Sequence, residues 1–182
     1  MRTTMFVTIP LLLVACTEEP VAPSARPQGP SFDASQGAVV HRVSAGGPDI
    51  CEAFGAHPGC DGNYSLVAME LADGSVRGEL QDVWGSGGQP GVHADVTCLH
   101  IQAAPNPLFT DAWIGGVVTS PTSLAGLPVI TRVRDRGTSN NDLDDLVGRV
   151  LVNPEVNHGI SADCQDHPPF AFAPARGQVT IK

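Results

Sequence analysis

The chain has 182 residues, 42% hydrophobic and only 16% charged, with 19 Asp and Glu against 10 Lys and Arg and a formal charge of −9. This balance excludes a disordered polyelectrolyte. With so few cations it also excludes a general phosphate-binding surface, so nucleic acid is not an expected partner. The 20 glycines and 16 prolines, about a fifth of the chain, disfavour a helical bundle and suit a turn-rich β fold.

The N-terminus reads as an address. Arg2 is followed by an apolar run, Phe6 to Ala15, far shorter than the roughly 20 residues a membrane-spanning helix takes. The run ends in Leu13-Val14-Ala15-Cys16, which resembles the lipobox of bacterial lipoproteins: Leu at −3, a small residue at −1 and Cys at +1. The resemblance implies that residues 1–15 are a signal peptide removed before Cys16, and that Cys16 carries diacylglycerol on its sulfur and a further acyl chain on its new amino group. Two or three chains make a durable anchor where one is marginal. Thr17, where Asp would imply retention, resembles outer-membrane sorting in a cell that has an outer membrane. The competing reading is an ordinary secretory signal that leaves Cys16 as an odd thiol. Residues 16–36 then form a tether: prolines at 20, 23, 27 and 30 among Ala, Ser and Glu, without apolar periodicity, favour a semi-rigid extended backbone.

Residues 37–182 have the length of one domain with its own core. Its four cysteines, Cys51, Cys60, Cys98 and Cys164, read as two disulfides in an exported chain. Cys51–Cys60 as a local clip with Cys98–Cys164 as a long-range staple is favoured among the three pairings. A metal site of His57 with Cys51 and Cys60 is the alternative, although its spacing fits no common zinc pattern.

The domain reads as about eight strands. Ala38–Ser44 opens the series, and Asn63–Leu71 and Ser75–Val83 flank the hairpin turn Ala72-Asp73-Gly74. Val92–Gln102 follows, with Val92, Ala94, Val96 and Cys98 on one face. Asp111–Ser120, Leu127–Arg134, Val147–Val152 and Gly177–Lys182 complete it, and Leu143–Val147 alone has a helical look. The expected fold is all-β: a small antiparallel barrel, which leaves no exposed edges, or a sandwich.

The runs Ala72–Gln81, Val92–Leu99, Ala112–Thr119 and Val133–Gly137, followed by Asp144-Asp145 and Cys164, together resemble a group of exported β-rich bacterial proteins of uncharacterised function. The resemblance spans roughly residues 64–166, departs from the group's pattern at Arg136, and implies the fold without supplying catalytic residues.

Two segments suggest chemistry. Asp135, Asn140, Asp142, Asp144 and Asp145 concentrate oxygen donors after a strand, as a calcium site requires, but off the EF-hand spacing; the alternative is a solvated turn with Asp142 capping a short helix. His93 and Asp95 lie two apart on one strand face, an arrangement that can orient an imidazole for acid/base work or hold a metal. If the opposite apolar face is the core, the pair points into water. His100 reads as a polar residue near the strand's end, His158 and His167 as exposed loop residues, and Trp84 and Trp113 as core before sugar-stacking platforms. No nucleophile elbow, phosphate loop, His-Glu-x-x-His helix or Cys-x-x-Cys pair is present. The sequence therefore implies a lipid-anchored envelope protein that binds an unknown small ligand or an envelope partner, or has a structural role. It needs no cofactor other than the candidate calcium. A small barrel hydrolase or isomerase using His93 and Asp95 in its lumen is the alternative.

Overall fold

A computed structural model describes residues 37–48, 62–84, 91–106, 108–137, 144–175 and 177–182. The signal peptide, the tether, Cys16, Cys51, His57 and Cys60 lie outside the described residues. Ten strands form one antiparallel sheet: β1 (Val39–Pro48), β2 (Gly62–Leu71), β3 (Val76–Trp84), β4 (Val92–Ala103), β5 (Thr110–Ser120), β6 (Pro128–Asp135), β7 (Leu146–Gly148), β8 (Leu151–Val152), β9 (Phe172–Pro174) and β10 (Gln178–Ile181). The order is β10-β1-β2-β3-β4-β5-β6-β7-β9, with β8 also on β6, and the sheet curls into a half-barrel.

The all-β expectation holds, with two more strands than expected. The run Val147–Val152 is not one strand but two short ones, because β7 pairs with β6 at Val133 and Arg134 while β8 pairs four residues earlier, at Val129 and Ile130. Leu146 and Val147 are strand rather than helix. The described helix, α1 (Pro154–His158), lies elsewhere, entered through Pro154 at its first turn and ended by Gly159 at φ 63.

The β2–β3 turn follows its sequence signal. Gly74 takes φ 79, and the Asp73 carboxylate accepts from the Ser75 amide at 2.9 Å and its hydroxyl at 2.6 Å. Inward positions are mostly aliphatic: Val43, Leu66, Ala68, Leu80, Val92, Ala94, Val96, Ile114, Val118, Val129 and Val133 join one buried cluster with Tyr64, and Asp82 and Thr131 are buried on the same side. Burying this stripe from every long strand is what curls the sheet on itself. A cleft beside it, among Gly46, Tyr64, Val147 and Val179, offers about 10 Å³, roughly the room of one water.

The phase of β4 changes midway. Val96 faces Gly116 and Cys98 faces Gly115, so Thr97 is an extra residue, a β-bulge. An extra residue reverses the alternation, which corrects the expectation for Cys98: Val92, Ala94 and Val96 point inward, but beyond the bulge Leu99 and Ile101 take the inward side. Cys98 instead packs on the outer face with Trp113, Ile130, Leu151, Cys164, Ile160 and Phe170, a second, smaller core. The Cys98–Cys164 disulfide spans a sequence separation of 66 with Cα atoms 6.1 Å apart. It holds the segment around the 3-10 turn Cys164–Asp166 against this face.

The two ends of the sheet meet through side chains. Arg42 and Lys182 exchange backbone bonds of 2.8 and 2.9 Å, so by antiparallel alternation the amides of Val179 and Ile181 point away from β1. Val179 donates to Asp145 Oδ2 at 2.7 Å and Ile181 to Asp135 Oδ2 at 3.0 Å. Two carboxylates at the other end of the sheet thus supply the acceptors that a neighbouring strand would otherwise provide.

Candidate functional site

The outer face of β4, β5 and β6 carries the densest polar group among the described residues. Register builds it as a row. His100 faces Trp113, Trp113 faces Arg132, and Gly148 faces Phe172 on the far side of β7. A Cβ on Gly148 would come within 2.8 Å of the Arg132 carbonyl and 3.3 Å of the Phe170 ring, so glycine leaves the gap the row needs. The Arg132 guanidinium lies between two rings, 4.2 Å from the Trp113 centroid and 4.7 Å from that of Phe172. Trp113, 4% exposed, donates its indole N–H to the Pro168 carbonyl at 2.9 Å.

The adjacent row pairs Asp111 with Arg134. Arg134 grips the carboxylate bidentately, Nε to Oδ1 at 2.6 Å and Nη2 to Oδ2 at 2.8 Å, and Arg132 Nη2 reaches Oδ2 at 2.5 Å. The Asp111 side chain is 2% exposed, those of Arg132 and Arg134 14% and 20%. Burial alone would raise the Asp111 pKa, but the two guanidiniums outweigh it and hold the carboxyl below its usual range; Asp111 in turn raises Arg134. Arg132 Nε is buried without an acceptor among the described residues.

At the other end of the row the rings of His100 and His167 lie 3.9 Å apart, and His167 is 5.1 Å from Trp113. His100 Nδ1 is 2.9 Å from Gln165 Oε1. His167 is exposed, and its φ of 49 turns the chain out of the 3-10 turn. Sequence reasoning treated these residues singly. The alternation of β6 places Arg132 and Arg134 outward, and the bulge brings Cys98 and His100 to the same face as Trp113; its signal in the sequence is the switch of apolar positions from Val92, Ala94 and Val96 to Leu99 and Ile101.

The residues expected to carry chemistry are placed differently. His93 and Asp95 are both exposed on the outer side of β4, because Val92, Ala94 and Val96 take the core. Asp95 faces Glu79 and Val117, and His93 faces Gln81 and Ser120. A lumenal catalytic pair is therefore corrected to a solvent-facing one. In the candidate calcium segment, Asn140 and Asp142 lie outside the described residues. Asp144 is exposed, while Asp135 and Asp145 are committed to the strand ends: Asp135 accepts from Gly137 and Ile181, Asp145 from Arg136 and Val179. Burial raises the Asp145 pKa, and its two amide bonds oppose this only in part.

Cys98, Asp163 and Cys164 also cluster, but both sulfurs are spent in the disulfide and so give no thiolate ligand. Compared with family models, with curated proteins and with solved structures, the chain matches none.

Proposed function

We propose that this is a lipid-anchored, non-catalytic module of the cell envelope that binds a ligand or partner, or serves structurally, through its outer surface. The observation that carries the reading is the division of side chains across the sheet. Inward positions of the long strands are mostly aliphatic, with Tyr64, Asp82 and Thr131 buried among them, so the half-barrel is packed through its centre. The densest outward polar group pairs the Asp111 carboxylate with the guanidiniums of Arg132 and Arg134. His93 and Asp95 face solvent, and the polar side chain bonded there, Thr119, donates to the His93 backbone carbonyl at 3.2 Å rather than to either side chain, so the reading does not rest on an acid/base assembly at this pair.

The anchor rests on Leu13-Val14-Ala15-Cys16 and the proline-rich stretch after it. Expressed in a bacterium, the full chain should fractionate with membranes and resist a salt wash, and Cys16→Ser should release it. Membrane retention of Cys16→Ser would refute the anchor. Turnover of ester, peptide or glycoside test substrates that disappears in His93→Ala would refute the non-catalytic reading.

A further inference from the structure

We infer that His100 and His167 form a two-imidazole site for a late divalent transition-metal ion of the Cu²⁺ class, assembled on the outer face by the β4 bulge and the Cys98–Cys164 disulfide. The inference goes beyond the binding-module reading and does not depend on it.

Three observations lead to it. The first is proximity: the two ring centroids are 3.9 Å apart, close enough that a turn of the His167 ring can bring one of its nitrogens within the roughly 4.2 Å that two imidazole nitrogens on one ion span at about 2.0–2.1 Å each. The rings are tilted by 35°, and since their lone pairs lie in the ring planes they converge on one ion once His167 turns.

The second is protonation state. Gln165 Nε2 donates to the Leu99 carbonyl at 3.4 Å, which turns Oε1 toward His100 at 2.9 Å. An amide oxygen only accepts, so the neutral His100 ring carries its hydrogen on Nδ1 and presents its lone pair on Nε2. An outer partner that fixes the tautomer is the usual support of a metal-ligating imidazole.

The third is access. His167 is exposed, and its ring touches those of His100 and Trp113 with no hydrogen bond to hold it among the described residues. A turn about its side-chain bonds can aim a nitrogen at the ion at little cost. The carboxylates of Asp163 and Asp166, both exposed on the same turn, make the local field favourable to a cation, and Trp113 separates His100 from the Arg132 guanidinium along the row. Two neutral imidazoles with open positions for water favour Cu²⁺ over Zn²⁺ and Ni²⁺ by the ordinary order of affinities.

The site carries its own reporter. With Trp84→Phe, Trp113 is the remaining tryptophan, 5.1 Å from His167. Cu²⁺ alone titrated into this full-length, oxidised protein should quench its fluorescence saturably at one equivalent, with nitrogen couplings in the electron paramagnetic resonance spectrum. His167→Ala should weaken the midpoint at least about tenfold with an unchanged melt, because an exposed ring carries little packing. His93→Ala should leave the midpoint alone. Gln165→Leu should weaken it by about tenfold through the lost tautomer control. Quenching with the same midpoint in His167→Ala, or no saturable quenching of the parent, overturns the inference.

Discussion

Asp111→Asn isolates the charge at the centre of the outer-face group while keeping its shape. The native carboxylate receives three charge-assisted bonds of 2.5 to 2.8 Å from two guanidiniums, and its side chain is 2% exposed. Removing one partner of a buried ion pair costs about 3–5 kcal/mol, mostly because the other charge is left unpaired. Arg132 and Arg134 retain 14% and 20% exposure and their aromatic contacts, which places the loss at the low end, about 3 kcal/mol. For residues 37–182, an unfolding entropy of about 2.1 cal/mol/K per residue converts this into a drop in Tm of about 10 °C.

The acid dependence has a definite sign. The folded-state pKa of Asp111 lies below the unfolded value, so between the two the unfolded chain binds more protons. Its contribution is complete above about pH 4 and is lost as pH falls through the lower folded pKa. Thermal melts from pH 2 to 7, followed by circular dichroism, should show the Asn variant converging on the parent at the acid end. An Asp111→Asn protein within about 1 kcal/mol of the parent at pH 7, or a gap that does not narrow in acid, would refute a stabilising charge pair.

The strand-end carboxylates predict a complementary effect. Asp145→Ala leaves the Arg136 and Val179 amides without their acceptor and should cost about 2–3 kcal/mol in a urea melt, with the Val179 amide exchanging faster. Because burial raises the Asp145 pKa, its protonation favours the folded state: this contribution is full below the unfolded pKa and fades as pH rises through the folded one, opposite in sign to Asp111. The variant should therefore lack that downward slope. Cys98→Ser with Cys164→Ser opens a staple across a separation of 66 residues, and loop entropy places the loss at up to about 4 kcal/mol in a chemical denaturation curve. Calcium at millimolar concentration should leave the Tm unmoved, since Asp135 and Asp145 already serve the strand ends. A rise equivalent to about 2.7 kcal/mol would instead establish the loop as a site.

Strand positions and the hairpin turn were legible because one face of each long strand is mostly aliphatic and the turn uses Asp73 and Gly74. The Cys98–Cys164 pairing was favoured among three on the expectation of export and the four cysteines of residues 37–182. What escaped the sequence escaped for local reasons. Strand β9 is three residues ending on Pro174, too short for periodicity. The bulge at Thr97 reverses a strand's phase without any turn residue to announce it, and so hid the shared face of His100, Trp113 and Arg132. Asp135 and Asp145 were read by type, as oxygen donors for a cation, whereas only the tertiary arrangement shows them receiving amides from a strand more than thirty residues on.

The pairing of the first strand with the tenth has a kinetic consequence. The β2–β3 hairpin is local and can form in microseconds, but β1 gains its second neighbour only when Gln178–Ile181 arrives, some 130 residues later in the chain. Topologies governed by such distant contacts fold in milliseconds to seconds. Until Gln178–Ile181 emerges, an edge of β1 waits unpaired and the Asp135 and Asp145 carboxylates lack their strand amides, which leaves the nascent domain open to proteases and holdases. A chain shortened by its last five residues loses more than an edge strand: it loses the step that ends this vulnerable interval.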